Sequence, residues 1–373
     1  MLTSAELFAR CPQRLAGHGD PRSLAQTLRA IADSLDVGEM ADVYGAGADL
    51  RAFETEVADL LGMPDAVFMP SGTMAQQIAL RIWCDRSGNR TVAMHPTSHL
   101  EFAEHLGYQF LHNIHRLQFG APEFVGRGLL TLADFVGLSV TPGAIILELP
   151  MRPLGGLLPA WDELVKISNW ARENQIPLHL DGARIWQCEH FYQQSLAQIA
   201  ALFDSVYVSF YKDLGGLAGC MLLGAPGFIA ESRVWQRRHG GNLHTQGPYV
   251  AAARLGLRQR LPEMSSWVAR AQQVASIFSA IDGVIVNPDP PQVNLFQLFI
   301  KGDAETLTRR HHELAETSGT FLFSALSPAA MPGYGMTEIH IWENAMAFDL
   351  SQLVPFMKLL LAPTSAEIQV PAP

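Results

Sequence analysis

The expected fold follows from one stretch, residues 179–219, which reads HLDGARIWQCEHFYQQSLAQIAALFDSVYVSFYKDLGGLAG. One apolar run, IPLHLDG at 176–182, ends within HLDGAR, and a second, SVYVSF at 205–210, ends at YKDLGG about thirty positions later. Near-continuous apolar runs of this length are typical of strands buried on both faces of a parallel sheet. Because the carboxyl ends of parallel strands meet at one crevice, we expect Asp181 and Lys212 to face the same ligand.

Outward from this stretch, short β-rich runs alternate with helical patterns. Apolar side chains at helical spacing predict a helix at 22–35 and another at 50–61, with Gly62 as the C-terminal cap of the second. Strands alternating with helices predict βαβ units and a mostly parallel sheet. The further predicted strands of this sheet are residues 66–70, 91–95 and 144–150.

The pattern changes after residue 250. A long helical pattern spans 250–280 and is interrupted at Pro262. Candidate strands at 292–300 and 337–342 then alternate with candidate helices. The predicted helices of this part are near 303–317 and 351–361.

These patterns predict an α/β protein with a large domain and a small C-terminal domain. The boundaries we expect are an N-terminal segment at 1–29, the large domain at 30–255, the small α/β domain at 256–362 and a loose, proline-rich tail at 363–373.

Composition excludes several classes of function. A chain of 373 residues with 48% hydrophobic residues can bury a large core, and its net charge of -10 disfavours a nucleic-acid partner. Four widely spaced cysteines form no CxxC pair, which favours a reducing compartment. The first residues lack the pattern of a secretory signal, and no apolar run approaches the ~18 residues that span a bilayer. We therefore expect a cytoplasmic protein with no membrane partner.

A lysine and a carboxylate at one sheet edge are what pyridoxal phosphate requires. The lysine forms a Schiff base with the cofactor, and the acid keeps the pyridine nitrogen protonated so that the ring accepts electrons. Lys212 lies in a segment with few other charges, and partial burial there would lower the pKa of its amine.

A turn at residues 70–73, Pro-Ser-Gly-Thr, supplies a candidate phosphate site. It follows a predicted strand and precedes the helical run MAQQIALRIW. Backbone N–H groups at a helix N-terminus attract phosphate, and the hydroxyls of Ser71 and Thr73 add donors around Gly72.

A histidine-rich segment, MHPTSHLEFAEHLG at 94–107, places His99 after a strand end, where its ring would lie flat against an aromatic cofactor. A metal site built from His95 and His99 is the alternative, but Pro96 argues against a shared helical face and no HExxH pattern is present. Gly45 and Gly47 lack the preceding strand and the third glycine of a dinucleotide-binding loop.

Each of these residues has an ordinary structural interpretation. Lys212 is then a surface lysine, Asp181 with Gly182 a turn, Ser71 a helix cap and Arg184 an ion-pair partner. The functional hypothesis is favoured because all of them fall where one phosphate-bearing aromatic cofactor needs them.

At these residues the chain resembles the threonine aldolases, also grouped as β-eliminating lyases, which have the aspartate-aminotransferase-like fold of pyridoxal-phosphate enzymes. The resemblance covers roughly residues 30–260, and PSGTMA together with HLDGAR is its most specific part. The other matching segments are DVYGAGADLRAFETEVADLLGMPDAVFM at 42–69, RPLGGLLP at 152–159, YKDLGGLAG at 211–219 and RRHGGNLHTQG at 237–247.

The resemblance implies roles for individual residues. Lys212 would form the internal aldimine, Asp181 would pair with the pyridinium, and Arg184 would bind the substrate carboxylate. Ser71, Gly72 and Thr73 would hold the phosphate of pyridoxal 5′-phosphate, and His99 would stack on its ring. Members of the family are usually homodimers or homotetramers with sites at subunit interfaces, which the loop near Gly240 would help complete.

Several positions depart from the family pattern, and all of them concern the substrate side. Asp213 follows the lysine where a glycine is usual, and Met151 replaces a histidine often found near the substrate. His244 stands where the family has a loop arginine, and TEIHIWEN at 337–344 lacks the expected carboxylate-binding arginine.

The predicted function is a pyridoxal-phosphate lyase that cleaves the Cα–Cβ bond of a β-hydroxy-α-amino acid to glycine and an aldehyde. Arg184 would grip the carboxylate, and His99, directly or through water, would take the hydroxyl proton. The alternatives are β-elimination on another amino acid, or a catalytically silent protein of this fold that binds the cofactor.

Overall fold

Helices and strands alternate along the chain as the sequence predicts. The computed structural model describes residues 2–19, 22–119 and 128–362, so the tail expected at 363–373 lies outside the described residues. The helices are α1 Ser4–Arg10, α2 Leu24–Ala32, α3 Ala48–Leu60, α4 Gly72–Ser87, α5 His99–Phe102, α6 Gly107–His112, α7 Leu132–Val136, α8 Trp161–Glu173, α9 Cys188–Tyr192, α10 Leu196–Ala200, α11 Pro226–Arg238, α12 Gly247–Arg260, α13 Met264–Ser279, α14 Ala304–Ser318, α15 Glu343–Ala347 and α16 Leu353–Leu361. The strands are β1 Gln13–Arg14, β2 Asp65–Met69, β3 Thr91–Met94, β4 His115–Gln118, β5 Ala144–Glu148, β6 Leu178–Gly182, β7 Ser205–Ser209, β8 Cys220–Gly224, β9 Val284–Asn287, β10 Leu295–Lys301, β11 Thr320–Phe321, β12 Ser327–Pro328 and β13 Tyr334–His340.

The chain divides into two compact units. One unit is Ser23–Met264, and the other combines Met1–Arg22 with Ser265–Pro373. The domain boundaries expected at 30–255 and 256–362 stay a prediction.

A mostly parallel sheet forms the centre of the Ser23–Met264 unit. Among the described residues its seven strands run in the order β2-β8-β7-β6-β5-β3-β4. Neighbours from β7 to β4 pair in parallel, and β8 is antiparallel to both β7 and β2. All five residues of β6 and of β7 are buried, as the apolar runs in the sequence indicate. The predicted mostly parallel α/β architecture is confirmed.

Two strands of this sheet were not predicted. Strand β4 has the polar sequence HRLQ, which carries little β signal. Strand β8 reads CMLLG, and residues 210–219 that join it to β7 are too few for the helical crossover that parallel strands need. The chain therefore returns antiparallel beside β7.

Helix α4 packs on one face of the sheet through small and branched side chains. Its residues Ala75, Ile78 and Ile82 are fully buried in a cluster with strands β2, β7 and β8. The helix ends at Gly88, whose φ of 65° is the left-handed conformation that glycine adopts at low cost. Only Pro70 and Ser71 separate α4 from β2, so the N-terminus of the helix lies at the carboxyl end of that strand.

The smaller unit is built on an antiparallel sheet of order β12-β13-β10-β9. Strand β13 alternates between half-buried and buried residues, and so presents one face to the core of its unit. A two-stranded parallel pair joins β1 near the N-terminus to β11, and Leu7 and Cys11 pack with Phe321 beside it. Within the described ranges, no helix has the length and apolar character needed to cross a membrane.

Candidate active site

The carboxyl ends of β5, β6 and β7 bring acidic and basic side chains together. In the strand register Glu148 lies beside Asp181, and Asp181 lies beside Tyr207. Lys212 follows three residues after the end of β7, and its charge acts on both carboxyls. The structure thus brings together Asp181 and Lys212, which the sequence placed at two strand ends.

Burial and neighbouring charges shift the protonation of this group. Burial lowers the pKa of the Lys212 amine, and the negative charge of Asp181 offsets part of that shift by raising it. Burial also raises the pKa of Asp181, and Lys212 opposes that shift. The pKa of Glu148 rises to about 8 because of burial and then the Asp181 carboxylate beside it. The amine is therefore easier to deprotonate than an ordinary lysine, and Glu148 retains its proton at neutral pH.

The predicted phosphate turn lies at the start of α4. Ser71 is the residue that precedes the helix, and within the described residues its side chain makes no capping hydrogen bond to the first turn. The backbone donors of that turn are therefore not taken up by the Ser71 hydroxyl. A Cβ at Gly72 would lie 2.1 Å from the Tyr207 hydroxyl, so only glycine lets the turn approach β7 so closely. The donor set and the bare glycine fit a phosphate group.

Arg184 and Asp213 form an ion pair that the sequence did not predict. Arg184 Nε lies 3.7 Å from Asp213 Oδ1. Asp213 is 0% exposed, and neither of its carboxylate oxygens has a hydrogen-bond partner within the described part of the chain. The departure from the family pattern at 213 thus places a buried carboxylate against the arginine expected to bind substrate.

His99 starts the short helix α5, and its Nδ1 lies 3.0 Å from Glu104 Oε1. Its charge acts on Asp181, so the ring lies within electrostatic reach of that carboxyl. His95, the other histidine of this segment, has both ring nitrogens in hydrogen bonds, with Thr97 Oγ1 and with the Gly128 carbonyl. The expected stacking of His99 on a cofactor ring stays a prediction.

Two of the other departures from the family pattern are Met151 and His244. Met151 is 5% exposed, and its backbone pairs with Leu157 in an isolated β-bridge. The carbonyl of His244 accepts a hydrogen bond from Tyr44 N at 2.8 Å, and the two rings meet edge to face with centroids 5.2 Å apart. The structure assigns neither side chain a chemical role.

Sequence reasoning missed three polar residues of the site: Glu104, Tyr207 and, as a titrating group, Glu148. A signal for Glu148 was present, since it ends an apolar strand as Asp181 does. Tyr207 carried no signal, because a tyrosine inside a buried strand is usually part of the core.

The chain is similar to known proteins over most of its length. Residues 25–300 match the model of the β-eliminating lyase family. The chain is 24% identical to low-specificity L-threonine aldolase 1 of Arabidopsis thaliana over 287 residues, which cover 75% of this chain and 80% of that protein. A solved structure of a candidate L-allo-threonine aldolase from Listeria monocytogenes EGD-E has a TM-score of 0.90 and 38% identity, and the match covers 96% of this chain and 98% of that one.

A more distant solved structure shows the fold alone. Serine palmitoyltransferase from Sphingomonas wittichii matches with a TM-score of 0.64 at 14% identity, over 91% of this chain and 83% of that one. The aspartate-aminotransferase-like fold expected from the sequence is confirmed.

Proposed function

The chain belongs to the β-eliminating lyase family, and from this premise we propose that it cleaves the Cα–Cβ bond of a β-hydroxy-α-amino acid to glycine and an aldehyde. It is a pyridoxal-phosphate-dependent enzyme that acts on an amino acid. The observation that carries the proposal is that Lys212 and Asp181 lie close together at one edge of the sheet, beside the N-terminus of α4. When bound, the cofactor supplies a ring that accepts the electron pair of the broken bond.

Five residues of this chain would hold the cofactor. Lys212, with its lowered pKa, would bind the aldehyde carbon, and Asp181 would face the pyridine nitrogen. Ser71, Gly72 and Thr73 would donate to the phosphate from the start of α4. Two observations support this assignment: Gly72 has no Cβ to keep the turn away from β7, and Asp181 and Lys212 form a buried charge pair at the strand ends.

Two further residues would handle the substrate. Arg184 would bind its carboxylate and orient the bond to be broken, with Asp213 holding the guanidinium from the Nε side. His99 would take the proton of the β-hydroxyl group at its Nε2 atom. The Nε2 atom is available for this because the ring's only hydrogen bond within the described ranges is made at Nδ1.

We also propose that the chain assembles as a homodimer or homotetramer in the cytoplasm. The exposed apolar side chains Val37, Met40, Val43 and Tyr44 follow one another before α3, and a second copy of the chain would cover them. The four cysteines are free and buried, which supports a reducing compartment.

Turnover and product analysis test the reaction. Purified protein supplied with pyridoxal phosphate should release glycine and the matching aldehyde from L-threonine, L-allo-threonine or phenylserine. Lys212→Ala should lose turnover by roughly three orders of magnitude or more, because the amine that binds the cofactor is gone. The control is Lys166→Ala, since the Lys166 side chain is 58% exposed in α8 and should be replaceable without effect.

Other products decide between this reaction and its rival. If the products are a keto acid and ammonia in place of glycine and an aldehyde, the reaction is β-elimination and not Cα–Cβ cleavage. Full activity in Lys212→Ala would refute the assigned role of this lysine.

A further inference from the structure

One buried acid near the site has no part in the proposed reaction. Glu104 follows α5 by two residues, and its side chain is 2% exposed, against 32% for the side chain of His99. Carboxylates are seldom buried to this degree without partners that compensate their charge. The contacts of Glu104 therefore indicate what it does.

Both oxygens of Glu104 accept hydrogen bonds. Oε1 lies 3.0 Å from His99 Nδ1, and Oε2 lies 3.4 Å from the side-chain amide Nε2 of Gln77 in α4. An ionised carboxylate has acceptors only, so the proton in the His99 contact belongs to Nδ1. A neutral histidine with its proton on Nδ1 has an unprotonated Nε2.

The backbone makes room for this chain of contacts. A Cβ at Gly107 would lie 2.3 Å from Nε2 of Gln77, so glycine at the start of α6 leaves the space that the amide occupies. Gln77 is itself 2% exposed and anchored in α4, the helix that starts at the phosphate turn. Gln77 thus holds one carboxylate oxygen of Glu104 in place, while the other oxygen contacts His99.

We propose that Glu104 is a positioning residue for His99, which accepts the Nδ1 proton, fixes the ring orientation and leaves Nε2 able to take the substrate's hydroxyl proton. The inference rests on the proposed function in one respect only, the role of His99 as the base. A carboxylate behind a histidine acts in this way in enzymes that use histidine as a base, by holding one tautomer.

Nitrogen-15 NMR of the cofactor-free protein tests the contact directly. In protein labelled at histidine and held at a pH where the ring is neutral, His99, identified by comparison with His99→Asn, should show the proton on Nδ1. In Glu104→Gln, the amide of Gln77 should donate to the new side-chain oxygen, which leaves the new NH2 group facing His99 Nδ1. An NH2 group donates, so Nδ1 must accept and the ring proton of His99 should move to Nε2. Glu101→Gln is the matched control, because Glu101 lies in the same segment but contacts Tyr108 and Arg116.

Kinetics of the loaded enzyme test the consequence. Glu104→Gln should lower kcat by about 10- to 100-fold with little change in KM, because the base carries its proton on the wrong nitrogen. A wild-type His99 with its proton on Nε2 overturns the proposal, and this result does not depend on whether the variant folds. An inverted tautomer with unchanged kcat also overturns it. Absence of wild-type turnover would count against the proposed function and leave the tautomer result to decide the contact.

Discussion

At the level of single residues, Glu148 shows how a neighbouring strand sets the chemistry of one side chain. Its Oε1 accepts from the Arg152 amide at 3.3 Å, and its Oε2 is buried without a hydrogen-bond partner in the described residues. Asp181 lies beside it in the strand register. Burial disfavours the charged form of Glu148, and two carboxyls this close cannot both ionise cheaply, so the pKa of Glu148 rises to about 8.

This shift predicts a pH dependence of stability in the cofactor-free protein. The unfolded chain releases the Glu148 proton near the ordinary value of 4.5, and the folded chain keeps it until about pH 8. Since the unfolded state binds fewer protons in that window, Glu148 reduces the free energy of unfolding as the pH rises from 4.5 to 8. Glu148→Gln should therefore be more stable than wild type at pH 8, by about 1–3 kcal/mol, and close to it at pH 4.5.

Urea unfolding of both proteins at several pH values measures this difference. Glu173→Gln, a change at an exposed position in α8, serves as the control and should show no such trend. A wild-type–variant difference that stays flat from pH 4.5 to 8 would contradict the assigned protonation of Glu148.

At the level of elements, helix α4 is the part whose position matters most. Its Gln76 Oε1 lies 2.7 Å from Nε2 of His179 in β6, and Nδ1 of that histidine lies 2.8 Å from Ser205 Oγ in β7. The indole of Trp83, two turns further along α4, donates to the same Ser205 oxygen. These contacts fix the helix on the sheet both along and around its axis, and so fix where its N-terminal donors point.

The close approach of α4 to β7 predicts the effect of one added methyl group. Gly72→Ala would place a Cβ 2.1 Å from the Tyr207 hydroxyl and 2.7 Å from its Cζ, so the turn must move. We expect a loss of about 1–3 kcal/mol of stability and at least a tenfold weaker affinity for pyridoxal phosphate. Thermal unfolding and titration of the cofactor-free protein measure both effects.

Two comparisons make that test specific. Adding Tyr207→Phe to Gly72→Ala should recover part of both losses, because the nearest colliding atom is removed. Gly227→Ala, whose added Cβ would meet no described atom closer than Arg86 Nη2 at 3.9 Å, should be neutral. Wild-type cofactor affinity in Gly72→Ala would show that the turn does not hold the phosphate.

At the level of the whole molecule, the proposed catalytic residues all belong to the Ser23–Met264 unit. The same unit carries the exposed apolar segment formed by Val37, Met40, Val43 and Tyr44, with Met40 78% exposed. A cavity of about 370 Å³ lies beside it, lined by α2, the start of α3 and α12. An exposed apolar surface of this kind marks an interaction site, and the proposed occupant is a second copy of the chain.

Self-association is therefore the prediction at this scale. The wild-type protein should have the mass of a dimer or tetramer by light scattering at micromolar concentration, and Met40→Glu should lower that mass by placing a charge in the contact. Val136→Asp changes an exposed apolar residue of α7 and should leave the mass unchanged. A monomeric wild-type protein would refute the proposed assembly.

Much of the larger unit was predictable because its signals are local. The apolar runs at 144–150, 176–182 and 205–210 contain β5, β6 and β7, and the Ser-Gly-Thr turn does precede a helix. Strand β8 itself was not predicted, and an apolar pentapeptide would not have shown that it pairs antiparallel with its neighbours.

The sequence alone determined the fold class, the lysine and aspartate at two strand ends and the Ser-Gly-Thr turn before a helix, because periodicity and turn chemistry act between residues close together in the chain. Only the tertiary structure decided which acids meet: Glu148 beside Asp181, Asp213 against Arg184 and Glu104 behind His99. Strand register and side-chain direction make those pairs, and spacing along the chain specifies neither. Charge interactions in a buried site depend on distance and burial, so the protonation of the site is a property of the folded chain.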